Sequence, residues 1–185
     1  MQFNYSPVPS KVVFGENAAL SLKDEALALG AERVLIACTQ GMRARISHVI
    51  DALGDMCVAV YAGAEPHCPQ AVAMAALDLF KEKNCDIVVA IGGGSTIGIG
   101  KAITLRTDAP LIVVATTPCG SESTPIYGML IGNHKKTGRD AKVIARTSIY
   151  DPVLSTSMSA HHTATIGMNS LAHCVEALYA QVTSP

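Results

Sequence analysis

Hydrophobic positions along the chain alternate between two spacings, and this alternation predicts the fold class. Short runs that are apolar at nearly every residue have the length of buried strands, at 11–15, 33–38, 56–61, 86–91 and 111–115. Apolar residues recur at helical spacing between these runs, at 17–29, 42–53, from Pro69 onward, and at 95–105. Strands without a polar face, joined by helices, are typical of a parallel sheet covered on both sides. We therefore predict a doubly wound, mostly parallel α/β sheet.

The pattern changes after residue 127. Short extended pieces there surround a basic stretch, HKKTGRDAK, which we interpret as a solvated loop, with the binding of a carboxylate or phosphate as the alternative. Asp151-Pro152 then breaks the chain, and a strongly amphipathic helix follows. Its apolar stripe comprises Met168, Leu171, Ala172, Val175, Leu178 and Tyr179. We expect an α/β domain over residues 1–155 and, over 156–185, the first helix of a truncated all-helical domain.

Composition and charge exclude several classes of protein. Of the 185 residues, 49% are hydrophobic and 16% are charged, against about 25% charged in a typical soluble domain. The net charge of −1 does not favour a nucleic acid partner. No apolar run approaches the roughly 20 residues of a membrane helix, and the start, MQFNYSPVPSK, lacks the features of a secretory signal. We expect a cytoplasmic protein with apolar surface that awaits a partner.

The cysteines give a further indication of the compartment. The chain has six of them, widely scattered and without a C-x-x-C pair. In a chain of this size, such scatter predicts reduced, mostly buried thiols rather than a disulfide framework or a zinc site.

A glycine-rich turn, IGGGSTIGIGK, follows the fourth predicted strand and opens a helix. Glycines let backbone N–H groups approach a ligand closely, and a helix N-terminus attracts anions. The named templates nevertheless fail. A Walker A loop needs glycine at Ser95 and a hydroxyl residue at Ala102, while G-x-G-x-x-G and G-x-S-x-G both need glycine at Ile97. The turn alone therefore leaves phosphate binding and tight helix–sheet packing as equal alternatives.

A second polar turn, ATTPCGSEST, follows the fifth predicted strand. Ligands of open α/β sheets bind at the carboxyl ends of the strands, where both turns are expected. Two glycine-bearing polar turns after adjacent strands favour a dinucleotide cleft over an ordinary pair of strand–helix turns. We therefore predict a Rossmann-like nucleotide-binding domain.

The amphipathic helix also carries polar residues at helical spacing. In GMNSLAHCVE, Asn169 and His173 are four residues apart and share one face, with Glu176 a turn further along. An Asp–His pair at this spacing would suit a divalent metal, but the amide of Asn169 is a much poorer ligand. The Asn–His pair of this chain therefore argues against a tightly held cation. A hydrogen-bonded structural histidine is the alternative for His173.

Taken in order, these segments resemble the iron-containing alcohol dehydrogenase family over the whole chain. The resemblance rests on VVFG, IGGGSTIGIGKAI, TTPCGSESTPIYG, KTGRD, TSIYDP and GMNSLAHCVEALYA. Within the family, the chain looks most like the maleylacetate reductase branch. The metal-dependent branches carry an Asp at the positions of Gly98 and Asn169, and the series TPIYG, KTGRD and YDP is similar to the reductase branch.

The resemblance implies a site that binds NADH or NADPH, with no metal. The residues implied for the cofactor are Thr39 near the adenosine, Gly93, Gly94, Ser95 and Thr96 at the pyrophosphate, and Thr116, Thr117 and Ser121 along its path. His173 and Asn169 are implied as catalytic. Pro118-Cys119 depart from the Tyr-Ala pair expected in this branch, and Gln40, where some relatives have an acid, leaves NAD versus NADP open.

The implied activity is reduction of the carbon–carbon double bond of maleylacetate to give 3-oxoadipate, in the breakdown of resorcinol- and hydroxyquinol-type aromatics. The implied substrate is a small dicarboxylate and the implied assembly a homodimer, with no nucleic acid or membrane partner. Family members are about twice this long, so this chain alone is expected to be inactive. Two alternatives stay open, a metal-dependent alcohol or polyol dehydrogenase and a non-catalytic nucleotide-binding or dimerisation fragment.

Overall fold

A computed structural model describes residues 10–156 and 158–180 of the chain. The strands of this part are β1 (Lys11–Phe14), β2 (Val34–Ala37), β3 (Cys57–Tyr61), β4 (Ile87–Gly92), β5 (Leu111–Ala115), β6 (Ile126–Ile131), β7 (His134–Arg139) and β8 (Thr147–Tyr150). Its α-helices are α1 (Leu22–Ala28), α2 (Gln40–Arg45), α3 (Ser47–Leu53), α4 (Gln70–Glu82), α5 (Gly94–Thr107), α6 (Pro152–Ser155) and α7 (Ala160–Tyr179).

Six strands form one sheet in the order β1-β8-β5-β4-β2-β3, and every neighbouring pair is parallel. Every residue of β2, β4 and β5 is buried, as expected for strands covered on both faces. The predicted doubly wound α/β fold is thus confirmed. β6 and β7 form a separate antiparallel hairpin.

The order of the strands creates a switch point between β2 and β4. From β2 the chain moves outward to β3, whereas from β4 it moves the other way, to β5. Helices that follow strands on the two sides of such a point leave a crevice at the carboxyl ends of the strands. Thr39 follows β2 and Gly93 follows β4, so both flank this crevice.

Alternate residues of the central strands enter two different cores. Leu35, Val88 and Val113 belong to one cluster, which includes residues of α4 and α5. Val34, Ile36 and Val89 belong to the other cluster, on the opposite face with α1 and α3. The sheet is therefore fixed between two apolar layers, and this rigidity positions the turns at its carboxyl edge.

Several local predictions need correction. The first six residues of the basic stretch predicted to be a solvated loop are mostly exposed, as expected, but form the strand β7, whose register with β6 pairs Gly128 with Thr137. The predicted helix over 42–53 is two helices that meet at Ile46, and the one over 17–29 begins with a 3-10 turn at Ala18–Ser21. The helical spacing of apolar residues does not reveal such breaks, because the apolar pattern continues through them.

The last described helix packs sparsely on the rest of the chain. No residue of α7 is fully buried, and its stripe is exposed, with Leu178 at 85% and Tyr179 at 72%. The Ser170 hydroxyl donates a hydrogen bond to the Pro118 carbonyl at 3.0 Å, which ties α7 to the turn after β5. Within the described residues, no helix has both the length and the apolar character needed to cross a membrane.

Candidate functional site

The two glycine-bearing turns meet at the carboxyl edge of the sheet. A Cβ added to Gly93, just after β4, would lie only 2.8 Å from Oγ1 of Thr117, just after β5. The Thr116 N–H donates to the Gly92 carbonyl at 3.1 Å and holds the turns together. A side chain at position 93 would therefore force Thr117 to shift.

A cavity of about 570 Å³ opens beside these turns, within the usual range of about 300–1,000 Å³ for small-molecule sites. Five parts of the chain line it. They are the α5 face (Gly94, Ser95, Gly98 and Lys101), the turn after β5 (Cys119, Gly120, Ser121 and Thr124), the hairpin (Ile126, Tyr127, Gly128, Lys135 and Thr137), the loop before α4 (His67 and Cys68) and His173 of α7.

The structure brings some of the predicted site residues into this cavity and leaves others outside it. Gly94, Ser95, Ser121 and His173 line it, from three separate elements. The first turn of α5 presents backbone N–H groups that have no partner within the helix, so this end of the cavity suits an anion. The other six predicted residues do not line it: Thr39, Gly93, Thr96, Thr116, Thr117 and Asn169.

Thr96 and Thr116 are buried, at 1% and 4% exposure. Thr96 packs beneath the turn, where Oγ1 would lie 2.6 Å from a Cβ on Gly92. Thr39 caps α2 by accepting a hydrogen bond from the Met42 N–H at 3.2 Å, on the other side of the switch point. Asn169 is exposed on α7, one turn before His173.

The side chain of Lys101 is a buried cation that sequence reasoning did not select. It is 1% exposed, and its Nζ donates to the carbonyls of Thr124 at 2.8 Å and Ile126 at 2.6 Å and to the Thr124 hydroxyl at 3.3 Å. Burial lowers the pKa of the ammonium group to about 8, against the opposing effect of Glu122. Lys101 thus joins α5 to the start of β6.

A buried carboxylate supports the other side of the turn after β5. Glu122 is 2% exposed, and its Oε1 accepts a hydrogen bond from the Tyr150 hydroxyl at 2.8 Å. Its Oε2 accepts a hydrogen bond from the Cys119 thiol at 3.7 Å. Burial, with the bond to Glu122, raises the pKa of Tyr150 to about 12. Strand β8 therefore fixes the turn that carries Ser121.

Two consecutive residues at the cavity edge have a left-handed backbone. His67 has a φ of 62° and Cys68 a φ of 51°, values that cost non-glycine residues about 1–2 kcal/mol each. The Leu130 N–H donates to the Cys68 carbonyl at 3.1 Å and holds this loop against β6. Such strain tends to collect at functional sites, which adds support for a site here.

The cavity is lined by basic side chains and by no carboxylate among the described residues. Its lining residues include two lysines and two histidines, and none of those in the described part is an Asp or Glu. His173 Nδ1 lies 3.7 Å from Glu176, with 69% of its side chain exposed. No group of three or more His, Cys, Asp or Glu residues that could hold a metal occurs in residues 10–156 and 158–180.

One cavity residue that was not predicted, Lys101, does have a signal in the sequence. Gly94, Gly98 and Lys101 follow the i, i+4, i+7 spacing of one helical face, so Lys101 belonged to the face of the turn glycines. Lys135 and Thr137 could be identified as lining residues only from the register of the hairpin, since the basic stretch resembles a loop in isolation. The loop containing His67 and Cys68 gave no sequence signal, because its role depends on contacts with β6.

A family model described as iron-containing alcohol dehydrogenase matches residues 9–152. The maleylacetate reductase of Sphingobium indicum is 41% identical over 180 residues, covering 97% of this chain and 51% of that protein. The maleylacetate reductase of Burkholderia cepacia is 42% identical over 175 residues, covering 95% and 50%. The crystal structure of maleylacetate reductase from Rhizobium sp. strain MTP-10005 is similar with a TM-score of 0.95 at 37% identity, covering 100% of this chain and 53% of that one.

The chain belongs to the iron-containing alcohol dehydrogenase family. It spans about half the length of the curated relatives it matches and corresponds to their N-terminal half. The family resemblance inferred from the sequence motifs is therefore confirmed, as is the similarity to maleylacetate reductases. These relatives are oxidoreductases, and the chemistry proposed for the cavity is of that class.

Proposed function

We propose that this chain is the nucleotide-binding half of an NAD(P)H-dependent maleylacetate reductase, which reduces the substrate's carbon–carbon double bond to give 3-oxoadipate. The observation that supports it best is the meeting of two glycine-bearing turns beside a cavity whose lining includes two lysines and, among the described residues, no Asp or Glu. Identities of 36–42% to maleylacetate reductases over nearly the whole chain give the reaction class. The proposed protein works in the cytoplasm as a homodimer, and the second half of its length completes the substrate pocket.

The residues of the first turn fit a dinucleotide. The N–H groups of Gly94 and Ser95, at the start of α5, bind the pyrophosphate, and the absence of a side chain on Gly93 lets the turns close. Thr117 and Ser121 donate hydroxyl hydrogen bonds along the cofactor, and Thr39 lies near the adenosine. Thr96 and Thr116 are buried, so their contribution is to hold the turns in shape.

His173 is the proposed catalytic residue of this half, with Asn169 beside it on α7. NADH or NADPH, when bound, supplies the hydride. Addition to a conjugated double bond develops negative charge on an enolate, which a hydrogen-bond donor can stabilise without a metal. His173 faces the cavity and donates to that enolate, or positions a carboxylate of the substrate.

Metal independence is part of the proposal. Asn169 offers a neutral amide where the metal-dependent branches carry Asp, and amides bind divalent metals weakly. Gly98 is the second position with an Asp in those branches, and here a Cβ on it would meet Cys68 at 3.0 Å. Both positions thus depart from the metal-dependent pattern, for separate physical reasons.

Fluorescence titration of the chain with NADH and NADPH tests the proposal, with the metal content measured on the same sample. We expect micromolar binding without bound metal. The decisive variant is Gly94→Ala, because its Cβ would lie 3.8 Å from Cys119 Sγ, an ordinary contact, yet would project into the pyrophosphate site. Gly167→Ala, in α7, is the matched control, since nothing lies within 4 Å of its Cβ and the position is away from the two turns.

Gly94→Ala should weaken nucleotide binding at least tenfold without lowering stability, and Gly167→Ala should leave binding unchanged. Failure of the wild-type chain to bind either nucleotide would contradict the proposal and favour a non-catalytic dimerisation fragment. Stoichiometric bound metal would instead favour a metal-dependent alcohol or polyol dehydrogenase.

A further inference from the structure

Two thiols line the cavity, and they differ in their surroundings. Cys119, in the turn after β5, is half-buried, and its thiol donates a hydrogen bond to Glu122 Oε2 at 3.7 Å. Cys68 lies deeper, at 3% exposure, and its thiol makes no hydrogen bond with any residue in the described part of the chain. Of these two described thiols, only that of Cys119 therefore has a hydrogen-bonded base.

The groups around Cys119 are those of an activated nucleophile, which needs a base within hydrogen-bond reach and a third group that orients the base. Glu122 is 2% exposed, and the Tyr150 hydroxyl occupies its Oε1 at 2.8 Å, which leaves Oε2 for the thiol. Burial raises the pKa of the Cys119 thiol, so the thiol is protonated at neutral pH. The Ser121 N–H and the Thr117 hydroxyl stabilise the anion. Loss of the proton to Glu122 would thus leave a thiolate held by two donors.

The Cys119 thiol borders the first turn of α5. Its Sγ lies 3.8 Å from the position that a Cβ on Gly94 would take. A ligand bound at this turn therefore lies beside the sulfur atom. The thiol is also a departure of this chain, because Pro118-Cys119 replace the Tyr-Ala pair expected in the reductase branch.

We propose that Cys119 is a second reactive group of the cavity, which forms a thioether with compounds whose carbon–carbon double bond is conjugated with a carbonyl group. The inference rests on the proposed function, because maleylacetate belongs to this chemical class. The thiolate is the nucleophilic form of cysteine. Sγ bonds to the carbon β to the carbonyl while Glu122 Oε2 takes the thiol proton, and the electron pair of the double bond moves to the carbonyl oxygen. The proton then returns to the α-carbon, so the intact substrate is added without an oxidant or a reductant.

The test measures how fast each cysteine is labelled by N-ethylmaleimide, a neutral compound of this class, with mass spectrometry of the peptides. Cys174→Ser is the background, because Cys174 is exposed and would consume the reagent. Cys68 is the matched internal control, since it lines the same cavity without a hydrogen-bonded carboxylate among the described residues. Glu122→Gln removes the base with little change of shape, and thermal unfolding checks that this variant is folded.

We expect Cys119 to react about tenfold faster than Cys68, and Glu122→Gln to slow Cys119 about 100-fold, as for the loss of a general base. The Cys68 rate should not change. The negative charge of Glu122 by itself raises the pKa of Cys119, so removal of the charge alone would speed the reaction. A slower reaction therefore identifies Glu122 as the base.

Equal rates at Cys119 and Cys68 would overturn the inference, and this comparison needs no change at Glu122. An unchanged or faster Cys119 rate in folded Glu122→Gln would overturn it as well.

Maleylacetate, added without NADH, should modify Cys119 with the same preference over Cys68 and a mass gain of the intact substrate. Absence of this adduct would overturn the inference. An adduct formed by a chain that fails to bind NADH would support the inference and contradict the proposed function alone.

Discussion

Cys68 occupies the space that a side chain on Gly98 would need. A Cβ added to Gly98 would lie 3.0 Å from the Cys68 Cβ and 3.3 Å from its Sγ. The contact joins the strained loop before α4 to the face of α5 that lines the cavity. Because the Cys68 backbone is itself left-handed, with a φ of 51°, glycine at position 68 would relieve both the contact and the strain.

This contact predicts a coupling between positions 68 and 98. Gly98→Ala should be less stable than the wild type by about 1–2 kcal/mol, because overpacking outweighs the better helix propensity of alanine. In Cys68→Gly/Gly98→Ala most of that loss should be recovered. Urea denaturation of the single and double variants gives the coupling energy. If the effects of the two substitutions on the free energy of unfolding simply add, the contact between positions 68 and 98 does not cause the loss of stability.

Lys101→Met should destabilise the chain by about 2 kcal/mol at pH 7, because the carbonyls of Thr124 and Ile126 lose their donor. The wild-type free energy of unfolding should rise relative to this variant between pH 8 and about 10.4, since the folded pKa is about 8 and the unfolded one about 10.4. In that window the unfolded chain binds more protons. Lys136→Met is the exposed control, and a pH-independent difference would contradict the assignment.

Tyr150→Phe tests the support that β8 gives to the turn after β5. Without the hydroxyl, the buried Glu122 carboxylate keeps only the Cys119 thiol at 3.7 Å, so we expect a loss of about 2 kcal/mol. Since folding raises the pKa of Tyr150 to about 12, its contribution should persist below pH 10 and decline as pH rises toward 12. Chemical denaturation across this range is the measurement. Tyr61→Phe, which removes a hydroxyl with no hydrogen bond to the described chain, should cost less.

His173→Ala tests the proposed catalytic role in a protein that joins this chain to the second half found in its relatives. Turnover with maleylacetate should fall about 100-fold, because general acid–base groups contribute at least this factor. NADH binding to the variant should be unchanged. His162→Ala, on the same exposed helix, is the control and should retain full turnover. Equal turnover in both variants would assign His173 a structural role.

The fold could be predicted because its signals are local. Strands such as Ile87–Gly92 are apolar at nearly every position, and the helices between them keep their period, so the layer arrangement follows from burial alone. The same approach predicted that the two polar turns share one edge of the sheet, because they follow strands whose carboxyl ends meet there. The individual residues Gly94, Ser95 and Ser121, which line the cavity, were implied by the family resemblance. The sequence did not distinguish residues that line the cavity from buried ones: Thr96 was predicted at the pyrophosphate and is buried.

The sequence by itself determined the parallel sheet, the two polar turns at its carboxyl edge, and the helix that carries His173. Each of these depends on residues close in the chain. Only the tertiary structure decided that β7 is a strand, that Lys101 is buried against Thr124, and that Cys68 closes the space beside Gly98. These features depend on contacts between segments distant along the chain, and no local pattern of hydrophobic and polar residues specifies such contacts.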